Sequence, residues 1–324
     1  FPRLSTLTPP KLSTTKSTIP DVAIITRTKN RVILLERCIR SILDQTFDNW
    51  NHVIVNDGGE PEPVEKLLEN YIHEYRGRIT LIHNDQSLTM EAASNVGVNF
   101  SNSRFIAIHD DDDSWKPNFL SETVSILSLH EPNCRIGGVA TYAEVFNEKI
   151  EDNNVVTLSK HLFREPPSIS LHEMLHGNLF PPICLLFRRS ALEAVGNFNS
   201  HMTVLGDWDF HLRLLEKFEI LLLRQPLANY HHRPNISGGD DNSLGNSVYA
   251  NRDDHLAVRS NYIDNILRES LKESNSRAIL MSLSSLDAKL NLIKNDILFE
   301  LKNHIDWHYK NLRDEIVAEI SQNT

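Results

Sequence analysis

The sequence has few cysteines, no long apolar run and no excess of positive charge. Three cysteines among 324 residues, without a Cys-x-x-Cys pair, argue against a disulfide framework and a structural zinc site, and indicate a reducing compartment such as the cytoplasm. No stretch approaches the roughly 20 apolar residues that span a bilayer, although contact with a membrane surface, such as the inner face of the plasma membrane, stays open. A formal net charge of -10 argues against a nucleic-acid partner, because phosphate contacts need a basic surface.

Three regions differ in composition. Residues 1–19 are crowded with Ser, Thr, Pro and Lys, which predicts a linker, either cut from a longer polypeptide or belonging to a processed terminus. Residues 20–254 alternate β-branched runs with amphipathic stretches and predict one domain. In residues 255–324, apolar positions step mostly by three and four without Gly or Pro, which predicts a helical extension. We favour a coiled coil that joins copies or fused modules over a terminal helix packed on the domain.

The domain begins with four βα units, which predict a mostly parallel sheet with helices on both faces and ligands at the carboxyl ends of the strands. The predicted strands are 22–25, 53–55, 79–82 and 105–108, and the predicted helices are 32–46, 64–75 and 90–98. The second half predicts strands at 136–145, 183–187 and 220–223, helices at 117–130, 190–195 and 208–218, and a polar loop from about 146 to 165.

Four consecutive aspartates, Asp110 to Asp113, follow the fourth predicted strand and precede Trp115. Adjacent carboxylates repel one another and cannot be buried alone, so this position calls for a cation. A divalent metal with oxygen ligands suits such a group. An acidic run by itself is usually a charged surface loop, but the apolar strand before it and the tryptophan after it weigh against that alternative.

Five segments, in this order, resemble the inverting, metal-dependent glycosyltransferases of family 2, which have the GT-A fold and build bacterial polysaccharides. The segments are 22–31, 53–59, 91–97, the aspartate run and 184–213, and the resemblance covers about residues 20–235. It implies a Rossmann-like α/β sheet and transfer of a hexosyl or deoxyhexosyl group from a nucleotide-sugar donor. The acceptor would be a saccharide or lipid-linked oligosaccharide, in O-antigen or capsule synthesis, with Mn²⁺ or Mg²⁺ as cofactor.

The resemblance also assigns residues to the donor side. Those assigned to nucleotide-sugar binding are Thr26, Thr28, Asn30, Arg31, Asp57, Asn95, Asp110 and Asp111. The metal is assigned to Asp110 and Asp112, with His232 as a further candidate. Asp113 is expected to be solvated or to cap a helix. The same is expected of Asp111, apart from its assignment to nucleotide-sugar binding. Because His231 and His232 are adjacent in a strand, they point to opposite faces, and at most one of them reaches the site.

On the acceptor side, the resemblance makes Asp207 the general base. Trp208 contacts the acceptor sugar or belongs to the core. Asp209 is expected to cap the following helix or to pair with Arg213, about one turn along.

The chain departs from the family pattern at three positions. Lys29 replaces a tyrosine in the nucleoside pocket, and Gly206 replaces the glutamate that precedes the base. Ser94 stands where an arginine usually neutralises the diphosphate, so a metal, Arg27, Arg31 or a later basic residue must meet that charge.

Two other functions compete with transfer. A metal-dependent nucleotidyltransferase or phosphohydrolase also uses clustered aspartates, but it needs a Gly-rich phosphate loop or a second set of metal ligands, and neither is evident. An inactive transferase-like module could instead serve as a scaffold through its carboxyl-terminal coil. No Gln-x-x-Arg-Trp sequence follows Asp207, which favours transfer of one or a few sugars over processive synthesis.

Overall fold

The computed structural model describes residues 2–4, 19–130, 135–151, 154–202 and 205–233, together with 294, 301 and 302. Nearly all of the predicted coiled coil at 255–324, and most of the predicted linker at 1–19, lie outside these residues. Those elements and the boundary at 254 therefore stay predictions. Within the described residues, no helix is both long and apolar enough to cross a bilayer.

Ten strands of the described residues join one sheet, with helices packed against it. The strands are β1 (Arg3–Leu4), β2 (Val22–Thr28), β3 (Trp50–Asp57), β4 (Ile79–Asn84), β5 (Phe105–Ile108), β6 (Ser114–Trp115), β7 (Ile136–Glu151), β8 (Asn154–Leu162), β9 (Leu185–Arg188) and β10 (Glu219–His232). The helices are α1 (Val32–Leu43), α2 (Pro61–Glu69), α3 (Ile72–Tyr75), α4 (Met90–Asn99), α5 (Phe119–Ser128), α6 (Leu171–His176), α7 (Arg189–Val195) and α8 (Gly206–Lys217).

The sheet has a parallel first half and a mixed second half. Its strand order is β1-β4-β3-β2-β5-β9-β7-β10-β6, with β8 paired to β7. Strands β4, β3, β2 and β5 are parallel neighbours, whereas β9 runs antiparallel to both β5 and β7. The predicted α/β fold with a largely parallel sheet is confirmed. Because β2, β3 and β5 run in the same direction, the loops that follow them meet at one edge.

The interior of this half follows from apolar spacing. Strand β2 is apolar on both faces, as expected of a strand covered by helices on both sides, and Val22 to Ile25 are 0% exposed. Helix α1 buries a stripe at helical spacing that includes Leu35, Ile39 and Ile42. These contacts fix the start of α1, and with it Arg31, beside the edge of the sheet.

The predicted polar loop at 146–165 is wrong. Strand β7 continues to Glu151 and forms a hairpin with β8, with Glu144 opposite Leu162 at one end and Glu151 opposite Asn154 at the other. Eight of the nine β8 residues are exposed, and the alternation of Val156, Leu158 and Leu162 with polar residues is interrupted at Lys160, so the signal for a strand is short.

Strand β10 also extends well beyond the predicted 220–223. Its pairing with β7 shifts register on both sides of Pro226, as expected because proline cannot donate to the ladder and is tolerated at such irregularities.

Candidate active site

The aspartate run turns at the carboxyl edge of the sheet, between β5 and β6. The backbone N–H of His109 donates to the carbonyl of Ile25 in β2 at 2.9 Å. At the far end of the run, Asp113 accepts a hydrogen bond from the backbone N–H of His231 in β10 at 2.9 Å. The run is therefore held between the two halves of the sheet.

The expectation that Asp111 and Asp113 are solvated is wrong. Asp111 and Asp113 are 0% exposed and Asp112 is 6% exposed. Burial is possible because arginines reach the run from two directions. Arg31, just before α1, donates to Asp111 and lies 3.6 Å from Asp112. Arg233, which follows β10 and is itself 0% exposed, donates to Asp112.

These surroundings move the pKa values of the run in different directions. Burial raises the pKa of Asp111 in spite of Arg31. Burial and the neighbouring carboxylates together raise the pKa of Asp113 well above its usual range. Burial alone would also raise the pKa of Asp112, but Arg31 and Arg233 outweigh it and lower the pKa. Asp112 is thus the buried member of the run that stays ionised most firmly.

Glu148 and Arg37 form a second layer behind the aspartates. Arg37 donates to both oxygens of Glu148 at 3.0 and 2.8 Å. His231 donates to the same carboxylate through Nδ1 at 2.5 Å. No motif marked Glu148, because β7 shifts register against β8 between Asn147 and Glu148, and this irregularity breaks the simple two-residue alternation of faces.

The two histidines of β10 point to opposite faces, as predicted. His231 is 5% exposed and faces Glu148 and Ser114. His232 lies on the other face, where its ring packs near Tyr230 with 6.3 Å between ring centroids. The assignment of His232 to the metal therefore stays a prediction.

The donor atoms of Asp110 and Asp112 suit a divalent cation that also binds a diphosphate. Within the described ranges, no group of three or more His, Cys, Asp or Glu side chains is placed to hold a metal ion by itself. Mg²⁺ in such sites commonly uses one or two carboxylates and takes its other ligands from phosphates and water. Asp110, whose side chain is 21% exposed, reaches the open side of the run, so the residues fit this shared mode of binding.

Arg27, at the end of β2, lies against Ser94. Its Nη1 donates to the Ser94 hydroxyl at 2.9 Å, and its Nη2 pairs with Asp110. A guanidinium group therefore occupies the neighbourhood where the family pattern places an arginine at position 94. Its other anionic neighbour is Glu91, at 3.8 Å from Nη1. Burial raises the pKa of Glu91 to about 7, Arg27 opposes this shift, and Asp207 adds to it.

Asp207 begins the acceptor side, in the first turn of α8. The Nδ2 atom of Asn178 donates to Asp207 Oδ2 at 2.6 Å. Burial raises the pKa of Asp207; hydrogen bonds from the Trp208 backbone and Asn178 moderate the rise, and Asp110 adds to it. Asn178 was not predicted, because it lies in a loop without a motif. It also holds His211 of the next turn, with 3.0 Å between Oδ1 and Nδ1.

The residues after Asp207 support the helix. Arg213 donates to Asp209 through Nε at 2.9 Å and through Nη2 at 2.7 Å, which confirms the predicted pair. Trp208 is 1% exposed and donates its indole N–H to the Met174 carbonyl at 2.6 Å. Of the two roles considered for Trp208, the structure supports the core.

Two residues assigned to nucleotide binding, Thr26 and Asn95, make contacts that support the fold, and their assignment stays a prediction. Thr26 is 0% exposed, and its hydroxyl lies 2.9 Å from Nε2 of His52 in the interior of the sheet. Asn95 uses both polar atoms of its side chain on the backbone of Phe198, at 2.8 and 3.0 Å. It therefore fastens α4 to the loop before α8. Thr28 is also buried, 3% exposed, and lies close to Asp111.

The turn after β3 is tightly built around Asp57. Its carboxylate accepts hydrogen bonds from Asn84 at 2.8 Å, from the Ser87 hydroxyl at 2.8 Å and from the Leu88 backbone at 3.0 Å. Gly58 has φ 72°, and a Cβ there would overlap the Ser87 backbone, so only glycine fits. Asp57 thus fixes this turn, and its assignment to nucleotide binding stays a prediction.

Asn30 likewise fixes the loop at this edge. It adopts a positive φ of 55°, and its side-chain oxygen accepts the backbone N–H of Glu60 at 2.8 Å. Its assignment to nucleotide binding therefore stays a prediction alongside this loop-fixing role.

A pocket of about 440 Å³ adjoins the acceptor side. Gly177 and Leu179, which flank Asn178 in the chain, form part of its wall, and Arg164 and Pro167 form another part. Asn178 itself donates a hydrogen bond to Asp207, so the pocket lies near the residue that orients this carboxylate.

Comparison with known proteins agrees with this architecture. The family model described as glycosyl transferase family 2 matches residues 23–196, more than half of the chain. The chain belongs to this family. The match ends before Asp207, so the role of that residue rests on the geometry of the site and on the motif resemblance.

Two curated relatives are bacterial proteins named as glycosyltransferases. The chain is 25% identical over 195 residues to a PGL/p-HBAD biosynthesis glycosyltransferase of Mycobacterium bovis, covering 60% of this chain and 69% of the relative. It is 36% identical over 103 residues to the putative colanic acid biosynthesis glycosyl transferase WcaA of Escherichia coli, covering 32% of this chain and 36% of the relative.

Two solved structures share the fold. The S. aureus TarS 1-349 complex with UDP-GlcNAc aligns with a TM-score of 0.52 and 15% identity, covering 67% of this chain and 60% of TarS, which is less than two thirds of that protein. The mannosyltransferase PcManGT of Pyrobaculum calidifontis, in complex with GDP-Man and Mn²⁺, aligns with a TM-score of 0.51 and 14% identity, covering 80% and 66%. Similarity at these identities shows the GT-A-like fold alone.

Proposed function

We propose that this chain transfers a hexosyl or deoxyhexosyl group from a nucleotide-sugar donor to a saccharide acceptor in a single displacement that inverts the anomeric configuration. The observation that carries the proposal is the arrangement around Asp207. A carboxylate with a raised pKa lies in the first turn of α8 and accepts a hydrogen bond from Asn178, and the Arg27–Asp110 pair is close enough to affect that pKa.

Asp207 is the proposed general base. It accepts the proton of the acceptor hydroxyl as that oxygen attacks the anomeric carbon from the face opposite the nucleotide. A pKa raised toward the working pH suits a general base, because proton transfer then has a better driving force while the basic form stays populated. The hydrogen bond from Asn178 fixes the orientation of the carboxylate during the transfer.

Arg27 and Arg31 are the proposed partners of the departing diphosphate. Arg27 has little access to solvent, with 13% of its side chain exposed, so its charge acts in surroundings that screen it less than water does. Binding of a diphosphate would draw both guanidinium groups toward phosphate oxygens and away from Asp110 and Asp111. The carboxylates thus hold the arginines in place until the donor arrives.

Asp110 and Asp112 would hold a divalent cation, Mn²⁺ or Mg²⁺. When bound, such a cation would neutralise part of the negative charge on the diphosphate. The PcManGT complex with GDP-Man and Mn²⁺ supports this part of the proposal by analogy of fold.

The biological setting is also a proposal. Two curated relatives are named for PGL/p-HBAD and colanic acid biosynthesis, and both names support a role in making a bacterial surface polysaccharide such as O-antigen or capsule. The acceptor would then be a saccharide or lipid-linked oligosaccharide, reached from the cytoplasm at the inner face of the membrane.

A thermal-shift screen tests the donor site. UDP, GDP, UDP-GlcNAc and GDP-Man, each with and without MnCl₂, are added to the full chain. We expect at least one nucleotide to raise the unfolding midpoint, and more strongly with Mn²⁺, because a ligand that binds only the native state stabilises it by mass action. No shift with any nucleotide, in either condition, would contradict a donor site and favour the scaffold alternative.

Replacing Arg27 by Gln tests its proposed role against the diphosphate. We expect the Kd for the nucleotide found in the screen to rise by about tenfold or more, since hydrogen bonds to charged groups contribute about 1.5–3 kcal/mol. Calorimetric titration of the folded variant measures the change. The control is Arg40→Gln, which removes an arginine whose side chain is 64% exposed and pairs with Glu36 on the surface. Unchanged affinity in Arg27→Gln would rule out the assignment.

A further inference from the structure

Glu91 lies in the first turn of α4, and its side chain is inside the molecule without a full set of partners. The residue is 4% exposed. Its Oε2 atom has no hydrogen-bond partner among the described residues, and the Arg27 guanidinium, at 3.8 Å, is beyond hydrogen-bond distance. Buried polar atoms are almost always satisfied, so an unsatisfied carboxylate oxygen beside a proposed active site calls for a donor that arrives from outside.

The carboxyl group of Glu91 fills the space above Gly206, the residue before the proposed base. A Cβ added at Gly206 would overlap Oε1, Cγ and Cδ of Glu91. Any side chain at 206 would therefore compete with Glu91 for one volume. This chain lacks the glutamate of the family pattern at position 206, and a carboxyl group reaches the same place from α4 instead.

The negative charge of Glu91 determines whether it can contact the donor diphosphate or the saccharide acceptor. In its ionised form Glu91 repels the phosphates of a nucleotide, so this form has no favourable contact to make with the diphosphate. Sugar hydroxyls, in contrast, donate well to a carboxylate, and hydrogen bonds to charged groups are stronger than those between neutral groups. Glu91 therefore fits a saccharide hydroxyl close to the one that Asp207 would deprotonate.

We propose that Glu91 is an acceptor-binding residue whose free carboxylate oxygen accepts a hydrogen bond from a hydroxyl of the saccharide, in the place that a side chain at position 206 would otherwise occupy. This inference rests on the proposed function and adds a residue that determines which acceptor is bound. Glu91 also forms an ion pair with Arg27, which connects the acceptor side of the site to the arginine proposed to bind the donor diphosphate.

The shared volume is tested by unfolding, without any substrate. Gly206→Ala is expected to lower the unfolding midpoint of the native chain, because the added methyl group overpacks against a buried side chain. In a Glu91→Gly background the same change is expected to raise the midpoint or leave it unaltered, since alanine is the better helix former. Equal effects in the two backgrounds would show that residues 91 and 206 do not share a volume and would overturn the proposal.

The role in acceptor binding is tested by separating hydrolysis from transfer. The probes are UDP-GlcNAc or GDP-Man, whichever binds, with Mn²⁺ and the methyl glycosides of glucose, galactose, mannose and N-acetylglucosamine. Glu91→Gln is expected to raise the KM for the saccharide about tenfold or more, as for loss of a hydrogen bond to a charged group, and to lower transfer to the saccharide more than release of nucleoside diphosphate to water. Glu193→Gln, which changes an exposed glutamate on α7, is the matched control.

A relocation variant distinguishes this role from a structural one. In Glu91→Gly with Gly206→Glu, the carboxyl group returns to the same volume from the other helix, and we expect saccharide-stimulated turnover to recover at least tenfold over Glu91→Gly alone. An unchanged KM in Glu91→Gln, equal loss of hydrolysis and transfer, no saccharide stimulation of the native chain, or no recovery in the relocated variant would each overturn the inference. If nucleotides still shift the midpoint in these variants, the proposed donor site stands even when the role of Glu91 fails.

Discussion

Asp207→Asn is expected to lower the rate of glycosyl transfer by about a hundredfold to ten-thousandfold, the range that a positioned general base contributes. The amide has nearly the shape of the carboxylate but cannot accept the proton of the attacking hydroxyl. Nucleotide binding should survive, because the contacts proposed for the diphosphate come from β2 and the aspartate run. Initial rates with the bound donor, beside nucleotide titrations of the same preparation, separate the two effects.

Asp209→Asn is the matched control for this variant. Asp209 lies two residues further along α8 and pairs with Arg213, so its loss should weaken the helix while the activity of each folded molecule is kept. Equal losses of activity in the two variants would mean that α8 tolerates neither change and that Asp207 has no special part in the chemistry.

The pH dependence of the native enzyme's rate should reflect ionisation of the Asp207 carboxylate. Burial raises the pKa of Asp207, and only its ionised form can accept a proton. The rate at low substrate should therefore fall as the pH is lowered through a pKa above the ordinary aspartate value of about 3.9. A rate that stays flat down to that value would argue against Asp207 as the base. The measurement is kcat/KM against pH in buffers of constant ionic strength.

Asp112→Asn is expected to cost about 3 kcal/mol of unfolding free energy, because removal of one partner leaves buried opposite charges uncompensated. Arg233 is 0% exposed and donates to Asp112, and Arg31 lies within 3.6 Å. The amide keeps the volume of the side chain, so a lower free energy of unfolding would result from the lost charge and not from altered packing. Denaturant unfolding monitored by circular dichroism measures it.

Asp48→Asn provides the comparison on the surface. Asp48 lies 3.4 Å from Arg78 with 89% of its side chain exposed, and its replacement should change the free energy of unfolding by less than about 0.5 kcal/mol. A loss below 1 kcal/mol in Asp112→Asn would show that Arg233 and Arg31 find other anions and that the run is not held together by these pairs.

The first half of the fold could be predicted because its signals are local. Buried parallel strands are apolar on both faces and alternate with amphipathic helices, and the strand at Phe105–Ile108 was placed without error. The hairpin of β7 and β8 was not predicted, although Val156, Leu158 and Leu162 alternate with polar residues in its outer strand, because polar residues dominate this segment. Glu148 was missed for a related reason, because an irregularity in β7 changes which side chains face inward.

For the site residues, position was easier to predict than role. Asp110 and Asp207 lie where the motifs put them, but Thr26 and Asn95 support the sheet and the loop before α8. The partners Arg27, Arg233 and Asn178 come from three distant parts of the chain, and their meeting depends on tertiary packing that no local pattern encodes. The backbone conformation at the start of α4 and α8 could not be predicted from the sequence either. Thr89 and Leu205 adopt positive φ values of 96° and 62° there, at a cost of about 1–3 kcal/mol each.

The pairing of β10 has a consequence for the order in which the molecule folds. This strand begins at Glu219 and lies alongside β7, which begins at Ile136, so the contact closes a long loop and carries a large entropic cost. Only when β10 docks does Arg233 reach the aspartates. We therefore expect a folding intermediate without β10 to leave the buried carboxylates short of one of their cations, so that closure of the sheet and burial of the aspartate run would occur together.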